Sequence, residues 1–280
     1  MANTLASART SAGQGGLEIE MVSGQSAVTS TWASSPLKVL VPRPRGQSVW
    51  AYLSSFGGGL VAGDETSLRL QLGANTRGFV STQASTKVYR NPDQRPCGHQ
   101  LKATLQAGSL LALVPDPVQA FAGSNYVQRQ EFQLESSAGL VLVDWFTSGR
   151  AARGERWAFN RLQSRNEVFV DGELRLLDSL LLTPADGALA GSHRLGRFNC
   201  FALVVLVGDA VGAASAQVLA EIAAQPVARC APLVRSASPI RGGAVVRLAG
   251  ECVETVGREI HQHLGFLHAL LGDDPLARKW

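Results

Sequence analysis

Between Ser67 and Leu72 the leucines at 68, 70 and 72 alternate with Ser67, Arg69 and Gln71. A period of two sends successive side chains to opposite faces, so this stretch reads as a half-buried strand. Similar short runs occur at Val49–Phe56, Gly78–Thr82, Leu101–Leu105, Leu110–Val114, Leu140–Phe146, Glu167–Val170 and Leu174–Leu182. Gly, Pro, Asn or Asp fills nearly every gap, as at Gly73–Asn75, Asn91–Pro96, Pro115–Pro117 and Pro184–Gly187. Asp171–Gly172, set between two apolar runs, marks a tight hairpin. The fold class is therefore mainly β, with a core that is sandwich-like or coiled.

Two segments read as helices. Ser215 is placed to cap a short helix through Gln225, ended by Pro226. Val253, Val256, Ile260, Leu264, Leu267 and Leu271 recur at spacings of three and four, with Gly272 and Pro275 as stop signals. That stripe predicts a longer, amphipathic helix at the C-terminus, whose apolar face must be buried on its own sheet or on a partner. No internal repeat or linker divides the chain, which reads as a single domain over 17–280 after a flexible segment of small and polar residues at 1–16.

With 45% apolar and 17% charged residues the chain can bury a sizeable core. The net charge of +4 comes from arginines scattered in ones and twos, not gathered on one element as a nucleic-acid binder requires. Cys97, Cys200, Cys230 and Cys252 lie far apart, which fits free thiols in a reducing compartment. The first sixteen residues lack the apolar core of a secretory signal, and their single arginine is little support for a transit peptide. The most apolar stretch, Phe201–Ala224, carries Asp209, Gln217 and Glu221 and is broken at Gly208–Asp209. It reads as a strand, a turn and a helix, so a soluble, cytoplasmic protein with no membrane span is expected.

The run Gly57-Gly58-Gly59-Leu60-Val61-Ala62-Gly63-Asp64 superficially matches a nucleotide loop. Such loops hold phosphate at the N-terminus of the helix that follows, and here strand periodicity follows instead. A tight glycine turn is the better reading, with a nucleotide-dependent enzyme as the alternative. Cys97 and His99 offer a thiol and an imidazole in a loop flanked by Pro92 and Pro96. Two ligands alone do not make a metal site, so a stand-alone metal-binding protein is a second alternative. His261 and His263 project about 200° apart on a helix and cannot chelate one ion, while His261 and His268 flank the apolar stripe. No G-x-S-x-G elbow or catalytic cysteine context is present.

Among the acids, Asp64–Glu65 and Asp273–Asp274 follow turns and read as solvated. Asp116 lies between two prolines, and Asp144 interrupts the apolar run 140–146. A carboxylate there is costly to bury unless paired or bound to a cation. Arg150, Arg153 and Arg156 follow closely, so a structural ion pair and a functional cation role both remain open.

Read together, GGGLVAGD at 57–64, STQASTKVYRNP at 81–92, LVPDPVQAF at 113–121 and VDWFTSGRAARGERWAF at 143–159 resemble the urease accessory protein D family (UreD/UreH). The second and fourth blocks are closest in wording to plant-type members, and REIHQHLGFLHALLG at 258–272 with the tail 277–280 resembles the family's C-terminal helix. The resemblance implies a helix-like coil of short strands with a small helical part, and no catalytic activity. It implies a scaffold that binds urease apoprotein, recruits UreF and the GTPase UreG, and assists nickel insertion. No cofactor would be held tightly, nickel touching the chain at most in passage. A polar passage needs oxygen ligands of moderate affinity. Asp64, Asp116, Asp144 and Glu155, all inside the matching blocks, are the acids expected near it. Thr82, Gln83, Lys87 and Tyr89, with Gly58, Gly59, Gly63, Arg150 and Trp157, are expected to hold the local fold or an interface. The segments 1–16 and 184–243 match the family poorly.

Overall fold

The computed structural model describes residues 12–43, 46–226 and 228–277. Its strands are β1 (Gln14–Val22), β2 (Gln25–Ala33), β3 (Leu37–Leu40), β4 (Val49–Ser55), β5 (Gly59–Leu60), β6 (Glu65–Leu72), β7 (Arg77–Thr82), β8 (Thr86–Val88) and β9 (Cys97–Leu105). There follow β10 (Leu110–Leu113), β11 (Val118–Ala120), β12 (Asn125–Leu134), β13 (Gly139–Thr147), β14 (Arg161–Val170), β15 (Glu173–Leu182) and β16 (Cys200–Val207). Helix α1 (Gly212–Ala224) precedes β17 (Leu233–Ile240) and β18 (Gly243–Gly250), and α2 (Val253–His263) and α3 (Leu267–Leu271) close the chain.

From β4 to β14 the chain winds as a coil. Parallel strands β4, β7, β10 and β13 form one face, β6, β9, β12 and β14 a second, and the short β5, β8 and β11 a third. Further strands extend both ends, β1 parallel to β6 and the outermost β2 and β15 antiparallel to their neighbours, giving a seven-stranded sheet β15-β14-β12-β9-β6-β1-β2 opposite an eleven-stranded one. The alternation in the sequence explains the stacking. Leu70, Ala103, Phe132 and Val168 stand at one level of successive turns, all pointing into the layer between the sheets. Each such side chain leaves water on both sides of its rung, at about 25 cal/mol per Å² of apolar area.

The eleven-stranded sheet is covered on both faces, so β10, β13 and β16 are buried almost throughout. This is why their sequences are continuous apolar runs without alternation. Its outer face carries α1, α2 and α3, through Val218, Ile222, Val256, Ile260, Leu264, Leu267 and Leu271. The C-terminal stripe is thus core, but it lies on two helices, since the chain leaves helical geometry after His263 and resumes at Leu267. Gly272 ends α3 in the left-handed conformation. The longer helix is α1, with 13 residues against 11 in α2, so the expected order of lengths is reversed. Ser215 does not cap α1; it lies inside it and donates to the Val211 carbonyl. His263, not His261, is the buried histidine of α2, facing Glu259 at 3.3 Å.

Strand β1 begins at Gln14, so the sheet takes up the last residues of the segment read as flexible; residues 1–11 and 278–280 lie outside the described residues. Asp171 and Gly172 both have positive φ and close the β14–β15 hairpin as expected. Among the described residues no helix is long and apolar enough to cross a membrane.

Candidate functional site

The inner face of the seven-stranded sheet changes character along its length. Below the leucine levels, Thr66, His99, Gln128 and Ser164 share one rung and Gln130 and Asn166 the next. Gln128 and Gln130 have the parity of Tyr126, Phe132 and Leu134 in β12, which is what sends amides into the protein interior. From the facing sheet Asp144 of β13 reaches this row. Its carboxylate accepts from Gln128 Nε2 at 2.8 Å, Ser164 Oγ at 2.6 Å and Asn166 Nδ2 at 2.8 Å. Among the described residues no arginine partners it, in place of the ion pair left open above: Arg150 is held by Glu155, and Arg156 by Asn199 and the Gly196 carbonyl. Burial pushes the Asp144 pKa above its ordinary value, against the three hydrogen bonds, which lower it.

Thr66, His99, Gln128, Gln130 and Asp144 line a cavity of about 220 Å³ between the sheets. Asp116 and Asp144 both face it, with Thr66, Thr82, His99, Gln128 and Gln130, and its lining reaches exposed Gly58, Gln83 and Ala84. Thr82 fixes Asp116 from two sides: its hydroxyl donates to the carboxylate at 3.0 Å and accepts from the Asp116 N–H at 2.7 Å. The His99 ring sits 2.8 Å from the Thr66 hydroxyl, and burial lowers its pKa to about 4, so the imidazole is neutral at pH 7.

Asp64 and Glu155 lie outside this lining. Asp64 accepts from the Val61 N–H at 2.9 Å and closes the glycine turn. Glu155 accepts from the Ala122 N–H and from Arg150, whose guanidinium lowers its pKa and also stacks on Phe121. The glycine run leads into β5 and β6, not a helix, and Gly57, Gly58 and Gly63 adopt positive φ. Gly59 pairs with Lys87, where a Cβ would stand 2.4 Å from the Lys87 carbonyl oxygen. Tyr89 packs edge-on against Phe121, and Trp157 is buried with its indole N–H on the Phe198 carbonyl.

Cys97 and His99 do not sit in a loop. They open β9 and share its inner face. Burial, with the charge of Asp64, raises the Cys97 thiol to about 12, so in the metal-free chain it is protonated at pH 7. Among the described residues no three His, Cys, Asp or Glu side chains converge to hold a metal ion.

Residues 11–280 match the family described as UreD urease accessory protein. Urease accessory protein UreD of Sorangium cellulosum is 48% identical over 96% of this chain and 85% of its own length. Its counterpart in Anaeromyxobacter is 43% identical over 95% and 89%. Urease accessory protein D of Arabidopsis thaliana is 31% identical over 94% of this chain and 99% of its own length. The chain therefore belongs to the UreD family of urease accessory proteins.

Proposed function

We propose that the protein is a non-catalytic scaffold of urease maturation. It binds the urease apoprotein, recruits UreF and the GTPase UreG, and gives nickel a polar path toward the urease centre. Nickel is cargo on this reading, no cofactor is tightly held, and the work is done in the cytoplasm. The observation that supports it is the convergence of Asp116 and Asp144 on one cavity lined by amides, hydroxyls and a neutral imidazole. Oxygen donors without a third fixed charged ligand bind a divalent ion weakly enough to release it. Neutral hydrogen bonds around Asp144 orient its carboxylate without cancelling its charge.

The test is the Asp116→Asn, Asp144→Asn double variant, expressed with urease, UreF and UreG. The variant should co-purify with its partners, while urease made at limiting nickel is poorly active and partly recovers at high nickel. Full activation at limiting nickel would end the conduit reading; loss of partner binding by a folded variant would move these residues to an interface.

A further inference from the structure

The two sheets do not end together at the β15 side. Among the described residues, strand β15 is the last of the seven-stranded sheet and pairs only with β14. Opposite it lies β18, as the Arg247–Asp178 pair at 2.8 Å shows, and β17 extends one strand further. Strand β17 is covered on its helix side, where Leu233 is buried and Arg235 holds Glu259 of α2. The residues of opposite parity, Val234, Ser236 and Ser238, are exposed, Val234 by 42%. The underside of β17 and the free edge of β15 therefore frame a step one strand wide.

The edge itself is apolar. A bulge opposite Val168 and Phe169 makes Arg175 the extra residue, so Leu174 joins Leu177, Ser179 and Leu181 on the outer face. The three leucines are 51%, 46% and 53% exposed, whereas the other terminal strands β2, β3 and β17 each show one exposed large apolar side chain. The usual edge protections are weak here. Strand β17 carries Pro239 and β3 has four residues with Lys38, but the charges of β15 are drawn into ion pairs: Glu173 with Arg175 and Arg241, Asp178 with Arg247.

We propose that this step receives an extended segment of a partner protein, which adds as an eighth strand beside β15. Main-chain hydrogen bonds supply affinity, and the alternate side chains supply choice. Side chains on the outer face continue the row of Leu174, Leu177 and Leu181 and are aliphatic. Those turned inward lie under Val234, Ser236 and Ser238, beside Arg241 and Arg247. Three arginines here (175, 241 and 247) meet only two carboxylates (173 and 178), which favours acidic residues at the inward positions. Two copies paired antiparallel through their β15 edges do not fit, because the overhanging β17 strands lie on the same side and would run into each other. The site is independent of the cavity, to which β15 contributes no lining residue.

The experiment uses the full chain and a fluorescein-labelled ten-residue peptide alternating leucine and glutamate, with a leucine–lysine peptide as control. The acidic peptide should bind, and should slow amide exchange over Glu173–Leu182 while leaving Gln25–Ala33 unchanged. Leu177→Lys with Leu181→Lys should keep the melting temperature and weaken binding by at least about tenfold. Arg241→Glu should weaken the acidic peptide and strengthen the basic one. No binding at millimolar peptide overturns the proposal. So does equal binding by the leucine variant, or protection that appears at β2 instead of β15.

Discussion

The Asn166 amide of β14 donates to the Asp144 carboxylate of β13 at 2.8 Å, across the layer between the sheets. With Ser164 and Gln128 it forms a cage of neutral donors around a buried charge. Asp144→Asn leaves one of those donors facing another N–H, at a cost of about 1–3 kcal/mol. That is below the roughly 3–5 kcal/mol of a broken buried ion pair. Because burial raises the folded pKa above the ordinary 3.8, the folded state holds its proton more tightly than the unfolded chain. The stabilisation is complete below 3.8 and is lost as pH rises through the folded value. Urea titrations should show the wild type's advantage over the variant largest in acid and narrowing as pH rises. A gap that does not change with pH would count against the cage.

His99 gives the opposite slope. Its folded pKa of about 4 lies below the ordinary 6.5, so between those values the unfolded chain binds the extra proton. Stability is then lost as pH falls from 6.5 toward 4, by up to about 3 kcal/mol. His99→Gln should flatten that limb. Parallel stability curves for the two proteins would show that the imidazole is protonated in the folded state.

Much of the coil was legible in period-two alternation, because Leu68, Leu70 and Leu72 need only one buried face to declare a strand. Strands β1, β2, β12, β17 and β18 are absent from the runs read in the sequence: Leu17, Ile19 and Met21 of β1 do alternate with Glu18 and Glu20, whereas β12 puts the polar Gln128 and Gln130 at inward positions and β17 carries the small Ser236 and Ser238. Asp144 stood out as a charge in an apolar run, but its partners did not. Gln128, Ser164 and Asn166 lie 16, 20 and 22 residues from Asp144 along the chain, with Gln130 joined through Asn166, and only the coil's register makes them neighbours. Local nearness misled in the other direction: Arg150, Arg153 and Arg156 follow Asp144 in sequence and turn elsewhere. The parity of Gln128 and Gln130 with Tyr126 and Phe132 was the signal that could have placed them inside.

Gly59 tests the third face of the coil. Its φ of 168° is ordinary extended backbone, so the need for glycine is steric and comes from the Lys87 carbonyl. Gly59→Ala must push β5 from β8 beside the cavity lining at Gly58 and Leu60. Overpacking of this kind costs about 1–3 kcal/mol. A variant as stable as wild type in urea would mean that β5 moves freely.

The C-terminal stripe separates core from interface. Ile260 and Leu264 are buried in the same cluster as Val204 and Leu206 of β16 and Val246 and Leu248 of β18. Close approach of α2 to the sheet is helped by Gly257, where a Cβ would already be 3.5 Å from the Trp145 ring. Truncating either side chain leaves a cavity between rigid elements, so Ile260→Ala or Leu264→Ala should each cost about 2–5 kcal/mol. Thermal melts of the isolated chain decide the matter, since no partner is present to be lost. A melting temperature unchanged by Ile260→Ala, with co-purification abolished, would make the stripe a docking face and not the core under the helices.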